Sequence, residues 1–193
     1  MRNLAGADTD ADGTAEDDCA LIARAVEDPD AFAELYRRHV RRVFHYLLPY
    51  ADSAEDAADL TQHVFLRALE SLPAYQDRGI PFTAWLFRIA RNAATDIYRR
   101  GRRTVPWDHT APVWQPFADD DPEAAVMRAE RLNRLRLLIA QLGEEQQEML
   151  RLRFAAGLRV AEIAIVLGKN EAAVQKALKR TLFKLKEQYD AEI

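Results

Sequence analysis

Apolar residues recur three to four positions apart through most of this chain and never alternate convincingly with period two, so the pattern predicts helices and no sheet. A short helix runs from Asp18, a suitable N-cap, to Val26 and is stopped by Asp28-Pro29. Asp30 can cap the next, whose stripe is Phe32, Leu35, Tyr36, Val40, Val43, Phe44 and Leu47. Ser53 opens a third with Asp56 three residues on, a start like a capping box, and its stripe is Ala57, Leu60, Thr61, Val64, Phe65, Ala68 and Leu72 before Pro73. After a turn-rich loop from Ala74 to Pro81, Phe82 to about Arg103 reads as one long helix. Val105-Pro-Trp, Ala111-Pro-Val-Trp and Gln115-Pro-Phe cannot continue it. Helical spacing returns after Asp121-Pro122, with Val126, Leu132, Leu135, Leu138, Ile139 and Leu142, and Gly143 closes that helix.

The last fifty residues carry the most specific pattern. A short helix, Val160 to Leu167, is followed by the turn Gly168-Lys169-Asn170 and a basic helix from Glu171. Gly168 suits the left-handed residue that ends a helix, and Asn170 suits the cap of the next. Val174, Leu178, Thr181, Leu182 and Leu185 form the inward stripe of the second helix, while Gln175, Lys176, Lys179 and Arg180 project from its remaining surface. That is a helix-turn-helix whose second helix suits a major groove. Two short helices around a glycine turn are also common in helical domains that bind nothing, so the rest of the chain must choose between those readings.

Charge helps. The chain totals 27 basic and 31 acidic residues, a net −4 that argues superficially against nucleic acid. By segment the sign alternates: −7 over residues 1–30, +4 over 31–103, −5 over 104–130 and +4 over 131–193. Two basic blocks are thus separated by an acidic connector and preceded by an acidic tail, and a polyanion feels the local field rather than the total. Residues 1–17 read as solvating disorder. No apolar run approaches the roughly 20 residues of a membrane span, no secretory leader is visible, and Cys19 is the only cysteine, which suits a reducing cytoplasm. His39, His45, His63 and His109 lack zinc-ligand spacing and no phosphate-binding glycine loop occurs, which leaves an enzyme as the weakest class and no cofactor expected.

The long helix interleaves aromatic and cationic residues. Leu86, Ile89, Ala90, Ala93 and Ile97 can pack inward, while Trp85, Arg88, Asn92, Asp96 and Arg99 fall on adjacent faces. Rings beside guanidiniums are what unpaired bases and their phosphates require. Phe87 reads as core; Trp85 fits either the core or a stacking platform.

Three stretches in this order resemble the extracytoplasmic-function (ECF) group of bacterial RNA polymerase sigma factors. Asp56-Ala-Ala-Asp-Leu-Thr-Gln-His-Val-Phe-Leu-Arg-Ala-Leu69 is similar to the family's core-binding helix. Phe82-Thr-Ala-Trp-Leu-Phe-Arg-Ile-Ala-Arg-Asn92 is similar to its promoter-melting helix. Leu142-Gly-Glu-Glu-Gln-Gln-Glu-Met-Leu-Arg-Leu-Arg-Phe154 with the helix-turn-helix is similar to its C-terminal DNA-binding domain. The resemblance spans roughly residues 18–189.

It implies an all-α chain of two small helical domains: a four-helix N-terminal unit at 18–103 for polymerase binding and the −10 element, and a helix-turn-helix unit at 122–193 for the −35 element. An extended acidic linker, 104–121, joins them, and its Asp119, Asp120 and Asp121 would mimic phosphates in the polymerase channels. Asp56, Asp59, Leu60, Gln62, Phe65 and Leu66 would meet the clamp of the largest polymerase subunit. Arg78, Ile80, Trp85, Arg88, Arg91, Asn92, Asp96 and Arg99 would capture the opened −10 strand. Asn170, Gln175, Lys176, Lys179 and Arg180 would read the −35 duplex. The implied partners are core RNA polymerase (clamp and flap) and promoter DNA, with an anti-sigma factor as a further candidate and no membrane contact.

The chain departs from the family pattern in places. His63 replaces a usual Glu, Arg159 stands where a Ser or Thr usually opens the scaffold helix, Ala177 replaces a frequent Arg and Asn170 a common Ser. The last two imply a shifted −35 preference. A stand-alone repressor with a helical dimerisation domain is the rival from another class; it accounts for the helix-turn-helix but for neither the aromatic-arginine helix nor the acidic connector.

Overall fold

The computed structural model describes residues 12–75, 79–99 and 122–191, and every regular element among them is helical. The first unit consists of α1 (Asp12–Ala25), α2 (Pro29–Leu47), α3 (Ala54–Ser71) and α4 (Phe82–Arg99). The second consists of α5 (Pro122–Ala140), α6 (Glu144–Leu150), α7 (Val160–Leu167) and α8 (Glu171–Ala191), with one π-helical turn, Arg151–Ala155, continuing α6. The acidic connector, including Asp119 to Asp121, lies outside the described residues.

Local chemistry sets most helix ends. Asp28, not Asp30, caps α2: its side chain accepts from the Asp30 N–H at 3.0 Å, and Pro29 occupies the first helical position, where a missing N–H costs nothing. Ser53 caps α3 as the sequence predicts, its Oγ accepting from the Asp56 N–H at 3.0 Å and donating to Asp56 Oδ2 at 2.8 Å.

The first helix departs from expectation. It starts at Asp12 instead of being capped by Asp18, so part of the predicted disordered tail is helical. Asp18 lies inside the helix and is 2% exposed, with His39 Nε2 at 2.8 Å and Arg38 Nη1 at 3.3 Å. A carboxyl so far from water needs such partners, and α2 supplies them.

A single apolar core runs through both units. Leu35, Val43, Tyr46 and Leu47 of α2, Val64 and Ala68 of α3, and Leu86, Phe87 and Ala90 of α4 join Leu150, Leu152, Leu158 and Ile163 of the second unit. Helix α4 packs on α7, and α2 packs on the π-turn. A flexible connector lets the two units collapse on each other in the free chain, and the structure has them packed together, with Tyr46 and Phe87 wholly buried in the shared core. No helix among the described residues is long and apolar enough to cross a membrane.

Candidate nucleic-acid interface

The helix-turn-helix is built by short-range hydrogen bonds. Glu162 of α7 reaches back to accept from the Arg159 N–H at 2.7 Å, which supplies the cap that Arg159 lacks in its own side chain. Gly168 ends α7 with φ 64° and ψ 36°, the left-handed conformation a side chain resists, and the Lys169 N–H closes the turn on the Ala164 carbonyl at 2.8 Å. Asn170 Oδ1 then accepts from the Ala172 N–H at 2.9 Å, which caps α8.

That geometry fixes which face of α8 is free. Val174, Leu178, Thr181 and Leu185 are buried, and Gln146 Nε2 donates to Thr181 Oγ1 from 3.1 Å. Gln175, Lys176, Lys179 and Arg180 are all exposed, as is Asn170. Leu182, predicted in the inward stripe, is 42% exposed beside an exposed Phe183.

Helix α4 presents a second polar face. Arg88, Asn92 and Asp96 are exposed, whereas Leu86, Phe87 and Ala90 are buried. Trp85 takes neither predicted role entirely: it is half-buried, with its ring 5.0 Å from Tyr75 and 5.6 Å from Phe82 between centroids. The Tyr75 hydroxyl donates to the Ile80 carbonyl at 2.8 Å, so this aromatic cluster also holds the loop entering α4. Arg78 and the side chain of Arg99 lie outside the described residues.

On α3, Asp59, Gln62 and Leu66 are exposed, with Leu66 at 54% and Leu69 at 43%. Leu60 is half-buried, and Asp56 is partly engaged in the cap of its own helix. Phe65 must be corrected: at 3% exposure it belongs to the core, its ring edge-on to Tyr36 at 4.7 Å, so it offers no surface to a partner. Helical spacing had already put Phe65 in the apolar stripe of α3; only the family resemblance placed it on the partner-facing side. His63 is exposed, and beside this face a groove of about 370 Å³ opens between α2 and α3, lined by Tyr36, Val40, Phe44 and Gln62 among others.

The remaining polar constellation joins the two units and was not anticipated. Glu148 of α6 receives the Tyr46 hydroxyl at 2.6 Å and the Tyr50 hydroxyl, with Arg91 Nε at 3.7 Å and Arg151 Nη1 at 3.5 Å. Burial first, then the Glu148 charge, pushes the Tyr46 phenol well above its ordinary pKa. Burial and Glu148 raise Tyr50 likewise, against a smaller opposing pull from Arg151. Both hydroxyls therefore stay protonated donors. Nearby, Arg42 Nε donates to the Ala156 carbonyl at 2.7 Å and Nη2 to the Gly157 carbonyl at 3.2 Å, so α2 caps the end of the π-turn. Tyr46 lies outside the predicted stripe of α2, and neither its burial nor its partner on α6 was anticipated.

Comparison with known proteins agrees with this arrangement. Residues 35–104 match the family Sigma-70 region 2, and residues 132–185 match Sigma-70, region 4. The chain is 34% identical over 176 residues to the ECF RNA polymerase sigma factor SigD of Mycobacterium tuberculosis, covering 88% of this chain and 82% of that one. It is 35% identical over 168 residues to BldN, an ECF RNA polymerase sigma factor of Streptomyces coelicolor, covering 83% of this chain and spanning 63% of BldN. Among solved structures, CnrH in complex with the cytosolic domain of CnrY superposes with a TM-score of 0.65 at 28% identity, over 91% of this chain and 99% of that one. With both sigma regions in order on an all-helical fold, the chain belongs to the ECF group of RNA polymerase sigma factors.

Proposed function

We propose that this sigma factor uses three separate surfaces to bring core RNA polymerase to a promoter and open it. Asp56, Asp59, Leu60, Gln62 and Leu66 on α3 meet the clamp of the largest polymerase subunit, where exposed leucines among carboxylates offer an apolar patch with a polar rim. Trp85, Arg88, Arg91, Asn92 and Asp96 on α4, with Ile80 before it, take the unpaired strand of the −10 element, by stacking and by charge-assisted contacts to phosphate. Gln175, Lys176, Lys179 and Arg180 read base edges of the −35 duplex, with Asn170 at the entry to the groove. In this reading residues 18–103 form the polymerase and −10 unit, 104–121 the linker and 122–193 the −35 unit. The chain acts in the cytoplasm and contributes no chemistry of its own.

The observation that carries the reading is the full exposure of the four polar residues on one face of α8, opposite the buried Val174, Leu178 and Leu185. An anti-sigma factor is part of the same proposal, supported by the similarity to CnrH, which was solved bound to the cytosolic domain of CnrY.

Run-off transcription with purified core polymerase and genomic templates tests it: the chain should start transcription at defined promoters and core alone should not. Because few base readers are available, the free chain should bind duplex weakly and with strong salt dependence. Tight, sequence-specific operator binding without polymerase would make the chain a stand-alone repressor or activator instead.

A further inference from the structure

From Asn170 to Arg180 the exposed side chains that reach beyond a methyl group are Asn170, Glu171, Gln175, Lys176, Lys179 and Arg180. Glu171 is the one carboxylate among them. It stands in the first turn of α8, the end that a helix-turn-helix presses against base edges. Ala172 and Ala173 beside it are also exposed and end at Cβ, so this turn is slim and Glu171 has the reach to touch a base there.

Contacts among the described residues do not account for the carboxylate. Glu171 has no hydrogen-bond or ion-pair partner among them, and the cation two residues before it is committed elsewhere: Lys169 Nζ lies 2.6 Å from Glu145 Oε1 of α6. Asn170 already caps the helix, its Oδ1 accepting from the Ala172 N–H at 2.9 Å. A first-turn carboxylate suits the helix dipole. On a surface that meets phosphates it also repels them, unless it finds a donor there.

The donors in the major groove of B-DNA are the amino groups of cytosine (N4) and adenine (N6). Adenine sets its N7 acceptor beside that donor, where it opposes a carboxylate oxygen; cytosine presents the amino group without a neighbouring acceptor of its own. We propose that Glu171 is a specificity-determining residue for the −35 element, its carboxylate accepting a hydrogen bond from the N4 amino group of a cytosine. The inference rests on the assignment of α8 to the −35 duplex and names a base that this assignment leaves open.

The test uses the full chain on core polymerase and a promoter found by run-off transcription, randomised over its −35 element, bound competitively and sequenced. Wild type should enrich cytosine at one position, with other bases there bound about fivefold more weakly or worse, as one mismatched pair costs. Glu171→Ala should flatten that position and leave the rest of the profile standing. Glu171→Gln should move its preference from cytosine to adenine, because a carboxamide carries the acceptor and donor that pair with N6 and N7. An acid that only stabilises the helix dipole cannot produce that switch; its replacement would lower the urea midpoint and nothing else. Circular dichroism on both variants checks that the fold is retained.

An unchanged base profile in both folded variants would overturn the inference and leave Glu171 as a helix-dipole acid. Tighter binding of Glu171→Ala to every sequence alike would overturn it too, since a carboxylate that only repels phosphates behaves that way. A wild-type profile indifferent to the upstream bases, with Lys179→Ala and Arg180→Ala changing nothing, would instead remove the assignment of α8 itself and the Glu171 contact with it.

Discussion

The hydroxyl of Thr83, in the first turn of α4, donates to the carboxylate of Glu162, which also caps α7 by accepting from the Arg159 N–H at 2.7 Å. One side chain, 5% exposed, thus starts the first helix of the helix-turn-helix and ties it to α4. Glu162→Ala removes the cap and leaves the half-buried Thr83 hydroxyl without its acceptor, so the chain should lose about 1–3 kcal/mol in urea unfolding. Glu162→Gln keeps one acceptor oxygen for the two donors and should lose less than Glu162→Ala. Equal losses for both substitutions would show that the charge, not the acceptor, matters.

Gly168→Ala isolates a backbone effect. No atom within 4 Å would meet the added Cβ, but φ of +64° places an alanine in the left-handed region. The expected cost is about 1–2 kcal/mol, seen as a lower urea midpoint at unchanged slope. A neutral result would mean that the turn relaxes to another conformation.

For the exposed face of α8, Lys179→Ala or Arg180→Ala should weaken −35 recognition by about 1–3 kcal/mol if the residue reads a base, with relaxed specificity at that position. A phosphate contact would instead weaken all sequences equally and reduce the salt dependence. Competition binding with single-base promoter variants, on the polymerase holoenzyme, distinguishes the two.

Trp85→Ala should have a double effect because the ring is half-buried against Tyr75 and Phe82. We expect a loss of about 1–3 kcal/mol in stability, below the range for a fully buried tryptophan. Strand opening should also fail while closed-complex binding survives. Permanganate footprinting on intact and pre-melted promoters measures the second effect; if pre-melting restored nothing and closed complexes were lost as well, Trp85 would be purely structural.

His45 predicts an acid sensitivity. Burial, reinforced by the nearby Arg41 charge, holds its imidazole below the ordinary value, and its Nδ1 is buried without a hydrogen-bond partner. As pH falls below about 6.5, the unfolded chain takes up a proton there before the folded one does, so stability present above that pH is progressively lost. His45→Leu should flatten this part of the stability profile below about pH 6.5. An unchanged slope would assign the acid sensitivity to other groups.

How much was legible in the sequence differs from element to element. The cap at Ser53, the left-handed Gly168 and the cap at Asn170 were readable because each acts within three residues of itself. The exposed face of α8 followed from helical spacing, since the buried stripe leaves Gln175, Lys176, Lys179 and Arg180 on the other side. Phe65 fell in the buried stripe by spacing and reached the partner face only through the resemblance, whereas Leu182 lies at the edge of its stripe, where neighbouring helices decide burial. Asp18 was misread as a cap because its partners, His39 and Arg38, are about twenty residues away.

The sequence by itself determined the helical class, the order of the motifs and which polar residues stay exposed on α8, because periodicity, capping and charge blocks are local properties of the chain. Only the tertiary structure decided which residues join the two units. Arg42 meets Ala156 and Tyr46 meets Glu148 across more than a hundred residues, and nothing in the spacing of either segment encodes the other. Such contacts arise from packing two apolar surfaces together and then satisfying the polar groups trapped between them, and that pairing exists only once both surfaces have a shape.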